Sequence, residues 1–255
     1  MNTSIEFTFN GRHSSEFGVW RVHLDNGLVT EDNFLGNKEV NSFKTRSSIR
    51  SYLTHINKEP LVIPMVLYFE ENLNNENERE VKKWLETDEF CELQFDDDEF
   101  IYYAIVNGTP SLTHNAIDCG HLEIEFLTNS PYRFGKQRET KRYHSTSDTE
   151  YMYLDDIINY GDLMCYPTFE IIAPNDINYL EIYNETTEQK FILDGNFKDL
   201  SLYVFNELEE LHSEAWFPTL YDAHNDKFIS FNTGKNKIKI KGKCYFKMTY
   251  QPIYF

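Results

Sequence analysis

Alternating apolar and polar residues at the start of the chain predict a β-strand with one buried face. Ile5, Phe7 and Phe9 are separated by single polar residues, so they share one face of an extended segment. Asn10 and Gly11 follow, and such a pair supplies the positive φ angles of a tight hairpin turn. The same pattern of a strand broken by a turn recurs in two later segments, 96–108 and 122–134.

A helical period stands out once in the first half of the chain. Within residues 74–86, three apolar residues recur at three- and four-residue spacing, and these are Val81, Trp84 and Leu85. Glu76 and Glu78 fall in the first turn, where the helix dipole stabilises negative charge. The segment is predicted to be a short amphipathic helix whose apolar stripe faces the core rather than a binding partner.

Two segments that precede this helix are harder to assign. Residues 60–69 are apolar nearly throughout, which is typical of a strand covered on both sides, and Pro64 restricts it to an edge or a bulge. Residues 25–58 are polar and lack a clear period, although 48–57 is compatible with a helix. A segment of this length without periodicity is usually either functional or disordered.

The second half of the chain consists of short strand patterns separated by turns. Residues 135–150 lose the apolar period and are predicted to be a linker. Five short strands are then predicted at 168–172, 179–183, 190–193, 200–205 and 228–231. Strands at this spacing indicate a β-sandwich or jelly roll.

The last predicted strand, residues 237–250, has apolar residues on one face and lysines on the other. The lysines are Lys237, Lys239, Lys241, Lys243 and Lys247. Lysines on an exposed strand commonly protect it from unwanted pairing. The alternative is a docking stripe for an acidic partner.

Composition and charge narrow the class of protein. A length of 255 residues favours two domains, and an aromatic content of 16% is ample for their cores. Neither a membrane helix nor a signal peptide is evident, so we expect a soluble protein that is not exported by a cleaved signal. The net charge of −18 argues against tight nucleic-acid binding, because affinity for DNA comes mainly from neutralised phosphates. Acidity keeps a protein soluble, and it would also repel any DNA that has to pass close to the surface.

No motif predicts an active site, a metal site or a cofactor. His114 and His121 are the closest histidine pair, but a solvated loop is the better interpretation because no fourth ligand is evident. The carboxylate run 96–99 lacks the Gly and Glu of a calcium loop and is predicted to be an acidic hairpin tip. The cysteines have no CxxC spacing and are interpreted as buried free thiols, with a remote disulfide as the alternative; they are Cys91, Cys119, Cys165 and Cys244.

Short motifs along the chain resemble the distal tail proteins of long-tailed, siphovirus-type bacteriophages. The first half matches the family pattern at Phe9, Asn10, Gly11, Ser14, Gly18, Val19, Pro131 and Tyr132. The second half resembles the family's galectin-like domain at Asn159, Tyr160, Gly161, Pro167, Ile182, Asn184, Thr186, Asp194, Gly195, Gly234, Asn236, Ile238, Ile240, Tyr250, Pro252 and Tyr254. Each motif is short, and their order and spacing carry the resemblance.

The resemblance implies a mainly β chain with two domains. The first, residues 1–134, would be a ring-forming sandwich or barrel-like domain with one short helix. The second, residues 151–255, would be a galectin-like β-sandwich after the linker 135–150. Within the first domain, residues 25–58 correspond to extended loops or arms that help close the ring.

The resemblance also implies a structural, non-enzymatic role at the tail tip of the virion, after assembly in the host cytoplasm. A homo-hexameric ring would join the tail tube protein to the baseplate or tail-fibre protein and surround the channel used by the tape measure protein and then DNA. Ring contacts are expected at Phe9, Gly11, Phe17, Val19, Arg46 and Arg50. The alternative is a carbohydrate-binding adhesion module that contacts host cell-wall glycans, with Trp216 and Tyr221 as a stacking platform beside Phe217.

Overall fold

The computed structural model of the chain describes residues 5–22, 37–69, 75–114 and 120–255. The chain divides into two compact units, Met1–Arg133 and Phe134–Phe255. Strands dominate the described parts of both units, which confirms the prediction of a mainly β fold. No helix among the described residues is long and apolar enough to cross a membrane.

The described part of the first unit contains nine strands, one α-helix and one 3-10 helix. They are β1 (Phe7–Phe9), β2 (Arg12–His13), the 3-10 helix (Ser14–Phe17), β3 (Val19–Val22), β4 (Lys38–Phe43), β5 (Tyr52–Lys58), β6 (Val62–Phe69), α1 (Asn75–Leu85), β7 (Cys91–Phe95), β8 (Ile101–His114) and β9 (Gly120–Thr128). The short strand β10 (Arg133–Phe134) follows at the boundary between the units.

Seven antiparallel strands form the main sheet of this unit, in the order β2-β1-β7-β8-β9-β6-β3. The backbone N–H of Arg21 in β3 donates to the carbonyl of Ile5, 2.8 Å away and just before β1. The last strand of the sheet therefore returns to the beginning of the chain, and the sheet is barrel-like.

The first strand and its turn follow the sequence prediction. Phe7 and Phe9 are buried, and the hairpin turn between them and Arg12 has φ angles of 48° at Asn10 and 70° at Gly11. Phe9 pairs with Arg12, so the loop contains two residues, as this turn type requires. The prediction of a tight turn at this position is confirmed.

The predicted helix is also confirmed, as α1. Val81, Trp84 and Leu85 are buried in the core of the first unit. Trp84 stacks on Phe17 with ring centroids 4.3 Å apart. Its indole Nε1 donates to the carbonyl of Phe9 at 2.8 Å. The helix is thereby attached to the turn region as well as to the core.

The neighbouring strand β6 is only partly as predicted. It pairs with β9 along its whole length, but with β3 only from Val66 to Phe69. Pro64, which has no N–H to donate, therefore lies where β6 has one paired neighbour among the described residues. The expectation that both faces are covered was wrong, because the side chains of Val62 and Tyr68 are exposed.

The second unit contains eleven strands and one short helix. They are β11 (Arg138–Glu139), β12 (Tyr143–Ser145), β13 (Met152–Asn159), β14 (Thr168–Ala173), β15 (Ile177–Asn184), β16 (Gln189–Phe197), β17 (Leu200–Phe205), β18 (Glu210–Ser213), α2 (Leu220–Ala223), β19 (Gly234–Lys241), β20 (Cys244–Tyr250) and β21 (Ile253–Tyr254).

Two sheets of this unit pack face to face as a β-sandwich. One has the order β11-β20-β14-β17-β18, with β12 also paired to β20, and the other has the order β13-β19-β15-β16. Their inner faces contribute to a single core, with Phe169 and Phe246 from the first sheet and Ile182 and Phe191 from the second. Four of the five predicted short strands correspond to β14, β15, β16 and β17.

The fifth predicted strand, 228–231, is wrong. Ile229 and Phe231 are buried and Phe228 is partly buried, but only Phe231 forms a β-bridge, to Cys165. Side chains hold the segment instead of a neighbouring strand. Asn206 Oδ1 accepts from the N–H of Ile229, and Gln189 Oε1 accepts from the N–H of Ser230, both at 2.7 Å.

Residues 135–150, predicted as a linker, contribute edge strands to the second unit. Both β11 and β12 pair with β20, and the N–H of Thr140 donates to the carbonyl of Met248 at 2.9 Å. The apolar period is weak here because most of these side chains are exposed at the rim of the sheet.

The long last strand predicted for 237–250 is two strands that belong to different sheets. β19 lies in one sheet and β20 in the other, with the bend at Gly242. Gly242 has a φ of 119°, and a Cβ atom there would lie 2.7 Å from the carbonyl oxygen of Tyr179. Glycine is therefore required for the chain to pass from one sheet to the other at this point.

Candidate interaction surfaces

The β4–β5 hairpin extends from the first unit without support from any other described strand. β4 and β5 pair only with each other, and every residue in them is exposed. We call residues 38–58 the arm. An isolated two-stranded hairpin is at best marginally stable in water, so this element has the character of a segment that packs on a partner.

The arm carries an unusual number of exposed apolar side chains. They are Val40, Phe43, Ile49, Tyr52, Leu53 and Ile56. Ile49, at the tip, is 95% exposed. Clusters of exposed apolar residues commonly mark contact surfaces, because single proteins seldom leave such area in water.

The arm tip, residues 44–51, combines this apolar residue with positive charge. It contains Lys44, Arg46 and Arg50 and has no acidic residue. Ser48 orders the loop, because its Oγ accepts from the N–H of Arg50 at 3.1 Å and donates to the carbonyl of Arg50 at 2.7 Å. The helix considered for 48–57 is wrong, since β5 occupies most of that segment.

The predicted ring residues divide into two groups. Phe9, Phe17 and Val19 are core residues with no more than 5% of their surface exposed, so their side chains are not available to a neighbouring molecule. Sequence alone did not separate them from contact residues, because apolar alternation marks core and interface alike. Gly11 lies at an exposed turn, and Arg46 and Arg50 are exposed in the arm tip.

The predicted lysine stripe is divided by the bend at Gly242. Lys237, Lys239 and Lys241 lie on the outer face of the β13-β19-β15-β16 sheet, whereas Lys247 lies on the other sheet. Several of the lysines have acidic partners. Lys239 pairs with Glu185, Lys243 with Asp148 at 2.5 Å, and Lys247 with Glu139. A single stripe of five lysines is therefore not present.

Lys237, Lys239 and Lys241 instead belong to a surface shared with tyrosines, which we call the lysine–tyrosine face. Its residues are Tyr151, Tyr153, Tyr179, Tyr183, Lys190, Lys237, Lys239 and Lys241. The strand register places Tyr153 beside Lys239, Lys239 beside Tyr183, and Tyr183 beside Lys190. Lysine Nζ atoms lie over the rings, at 5.0 Å from the Tyr153 centroid and 4.6 Å from the Tyr183 centroid.

Glu181 lies at the centre of this face and is only 4% exposed. Its carboxylate accepts from the Tyr179 hydroxyl at 2.8 Å, the Tyr151 hydroxyl at 3.0 Å and Lys190 Nζ at 3.3 Å. Burial by itself raises the pKa of Glu181, but these hydrogen bonds outweigh it and hold the pKa below its ordinary value. Burial and the same carboxylate raise the pKa of Tyr179 to about 12.

The proposed sugar platform has one highly exposed ring. Trp216 is 86% exposed in the loop before α2. The Tyr221 ring is 59% exposed, and its hydroxyl donates to the carbonyl of Leu211 at 3.1 Å. Phe217 packs against Phe197 and is partly buried against the core, so only part of its ring is available to an outer surface.

The remaining candidate groups have ordinary surroundings. The acidic run 96–99 forms the turn between β7 and β8, which confirms the predicted hairpin tip. The 115–119 segment, with Asp118 and Cys119, lies outside the described residues, and His121 Nε2 is 3.8 Å from Glu123. The other three cysteines are free thiols, and burial raises the pKa of Cys165 and of Cys244 to about 12.

Comparisons with known proteins show which proteins the chain is similar to. Residues 2–130 match the family described as "Phage tail protein N-terminal domain". The chain is 29% identical over 246 residues to the SPbeta prophage-derived uncharacterized protein YomH of Bacillus subtilis (strain 168), which covers 96% of each sequence.

Two solved structures extend the similarity to the whole fold. The SPP1 Dit (gp 19.1) protein, described as a paradigm of the hub adsorption apparatus in Gram-positive infecting phages, has a TM-score of 0.68 and 11% identity, and the match covers 98% of both chains. A chain of the phage p2 baseplate, in its activated conformation with Sr, has a TM-score of 0.52 and 11% identity over 96% of this chain and 97% of its own.

Proposed function

The chain belongs to the family of phage tail proteins defined by their N-terminal domain, and on that premise we propose that six copies form a ring that joins the tail tube to the baseplate or tail-fibre proteins. The ring would surround the channel used by the tape measure protein and then DNA. The role is structural, within the tail tip of a virion that is assembled in the host cytoplasm.

The exposed arm is the observation that carries this proposal. Its six large apolar side chains are between 41% and 95% exposed, and its two strands have no third strand among the described residues to support them. Packing the arm on the next copy would cover these side chains and support the two strands. In such a contact, one patch of each copy binds a different patch of the next copy. The contact repeats around an axis, and it closes into a ring when the rotation between neighbours divides a full turn.

Arm variants test the ring. Leu53→Glu and Ile56→Glu introduce charge on the exposed arm, so they are expected to reduce assembly without unfolding the protein. The matched control is Leu208→Glu, at an exposed leucine of the second unit. Negative-stain micrographs and light scattering of the purified protein, alone and with its tail tube neighbour, give the readout. Six-fold rings that form equally well with all three variants would contradict the role of the arm.

We also propose that the lysine–tyrosine face docks an acidic surface of the baseplate or fibre partner. Lysine Nζ atoms cover the tyrosine rings, which leaves less ring surface for sugar stacking and presents positive charge outward. The hydrogen bonds to Glu181 order this face before binding, and ordered side chains lose less entropy on association.

Lysine substitutions test this docking. Lys237→Gln with Lys241→Gln is expected to weaken partner binding, and more so at low salt, because screening already reduces the contribution of exposed charges at high salt. Lys243→Gln with Lys247→Gln is the control, since these two lysines lie away from the face. The edge protection considered from the sequence does not apply to these lysines, because β19 pairs with β13 on one side and β15 on the other. Unchanged partner binding by the first variant would contradict the docking.

Sugar binding is the second candidate function, and the exposure of Trp216 is its support. A cell-wall pull-down with the full chain and with Trp216→Ala tests it. Equal retention of the two proteins would exclude the platform.

A further inference from the structure

We infer that Glu6, His13 and Asp96 together bind a divalent transition-metal ion of the zinc type. One ligand atom from each of these side chains lies within 4.8 Å of the other two. The three residues come from separate parts of the sheet: the start of β1, the strand β2 and the end of β7. This inference does not depend on the proposed ring.

The strand register places the three side chains on one face. Phe7 pairs with Phe95, and the N–H of Asp96 donates to the carbonyl of Glu6 at 3.3 Å, so Glu6 and Asp96 are opposite each other at the next position. Their side chains point away from the core, because those of Phe7 and Phe95 point into it. His13 pairs with Thr8, which is two residues from Glu6 and therefore on the same outward face.

His13 is held in place from both sides of its ring. Its Nε2 lies 3.1 Å and 3.3 Å from the two carboxylate oxygens of Asp96. Its Nδ1 lies 2.6 Å from the hydroxyl of Ser15. The backbone N–H of Ser15 also donates to Nδ1, at 3.3 Å, and this contact caps the 3-10 helix. Binding of an ion through Nε2 would place the proton on Nδ1, and the Ser15 hydroxyl would accept it in place of that cap hydrogen bond. Histidine ligands of metals are commonly oriented in this way by a partner of the second ring nitrogen.

The distances agree with a tetrahedral ion. Zinc bonds of about 2.0–2.2 Å to nitrogen and oxygen separate neighbouring ligand atoms by about 3.3–3.5 Å. The His13–Asp96 separations are already close to that value. The Glu6 carboxylate lies within 4.8 Å of both other ligand atoms, so it would have to move closer to become the third ligand, and water would complete the coordination.

The charges favour a cation at this point as well. Glu6 and Asp96 are directly opposite across an antiparallel pair, where like charges destabilise the sheet. One imidazole and two carboxylates suit zinc or manganese, whereas calcium prefers oxygen ligands alone.

The test is zinc chloride titrated into chelator-treated full-length protein, followed by calorimetry. We expect one strong site per chain. Glu6→Gln and Asp96→Asn each remove one ligand with little change of shape, and each is expected to weaken zinc binding about tenfold or more. His13→Gln should weaken it further. The matched control is His121→Gln, because the one carboxylate found near His121 among the described residues is that of Glu123.

A second measurement separates binding from folding, because His13 also caps the 3-10 helix. Zinc should raise the unfolding temperature of the wild type and of His121→Gln, but not that of Glu6→Gln or Asp96→Asn. The inference is overturned if the wild type binds no zinc at millimolar concentration. It is also overturned if Glu6→Gln and Asp96→Asn bind zinc as tightly as the wild type.

Discussion

At the scale of single residues, Trp84 contacts three aromatic residues in the core of the first unit. It stacks on Phe17, contacts Phe7 at 5.6 Å between centroids, and donates a hydrogen bond to Phe9. Trp84→Ala is expected to lower the free energy of unfolding by about 3–5 kcal/mol, because a large cavity remains. Trp84→Phe should lower it by about 1–3 kcal/mol, since the carbonyl of Phe9 loses its donor.

Denaturant unfolding measures both variants, and Trp216→Ala is the control. That ring is 86% exposed, so its removal is expected to change stability by about 0.5 kcal/mol or less. Comparable losses at the two tryptophans would contradict the assignment of Trp84 to the core.

Glu181 gives the second unit a pH dependence. Its folded pKa is depressed below the ordinary value of 4.5 by hydrogen bonds that outweigh the effect of burial. A depressed carboxylate pKa contributes stability that is fully present above the unfolded pKa and is lost as pH falls through the folded pKa. The stability difference between wild type and Glu181→Gln should therefore be largest near neutral pH and shrink below pH 4.5.

Urea unfolding of both proteins over a pH series tests this expectation. Asp176→Asn, at an exposed carboxylate, controls for general effects of charge removal. A difference that grows as the solution becomes more acidic would mean that Glu181 is not stabilised in its ionised form.

At the scale of elements, the arm is the part of the chain expected to be cut first by protease. All residues of its strands are exposed and pair only with each other, and the tip offers trypsin Lys44, Arg46 and Arg50. Exposed segments with few contacts open most easily and are preferred sites of cleavage. Mass spectrometry of early tryptic fragments should find cuts at 44–50 before cuts at Arg138, Lys141 or Arg142.

The reverse order of cleavage would argue that the 135–150 segment behaves as the linker inferred from sequence. In the structure this segment forms edge strands whose backbone pairs with β20. Cleavage of the assembled protein gives a further test. If assembly of the protein protects the arm tip while 135–150 stays accessible, the arm is buried between molecules.

The elements that sequence predicted are those whose pattern is local. The β1 turn depends on two adjacent residues, Asn10 and Gly11, and α1 on one apolar stripe. The resemblance implied an arm within 25–58, but its two strands were missed because their side chains are exposed on both faces, so no alternation marks them. The β19–β20 bend was missed because the alternation keeps its phase through Gly242 while the chain changes sheet.

The candidate surfaces were predicted less completely than the fold, for a related reason. The lysines of β19 were visible as a pattern, but their tyrosine partners come from β13 and β15, which are distant in sequence. The proposed metal ligands Glu6, His13 and Asp96 likewise meet only through strand pairing. Without the strand order, neither group could be assembled from the sequence.

At the scale of the whole molecule, the resemblance to distal tail proteins is confirmed, and it covers both units. The family match lies in the first unit, whereas the match to the SPP1 Dit protein covers 98% of the chain. The two kinds of similarity are complementary. The first assigns the chain to a family of phage tail proteins, and the second, at 11% identity, establishes that the second unit shares the fold.

Net charge then decides how the proposed ring should respond to salt. Each copy carries −18, so closing a ring brings six acidic bodies together. Their repulsion reaches about 30 Å at 0.01 M salt but only about 8 Å at physiological ionic strength. Apolar contacts of the arm are not screened in this way. We expect the purified protein to be monomeric or weakly associated at low salt and to become more ring-like as salt rises or when its tail tube neighbour is added.

Light scattering across a salt series tests this expectation, and the opposite outcome has a definite meaning. Two arginines of the 135–150 segment already have partners within the chain. Arg142 pairs with Glu170 at 2.5 Å, and Arg138 lies over the Tyr160 ring. Arg46 and Arg50 at the arm are therefore the better candidates for attraction between copies. Rings that are tightest at low salt, and that lose this behaviour in Arg46→Gln with Arg50→Gln, would show that ion pairs made by the arm outweigh net repulsion.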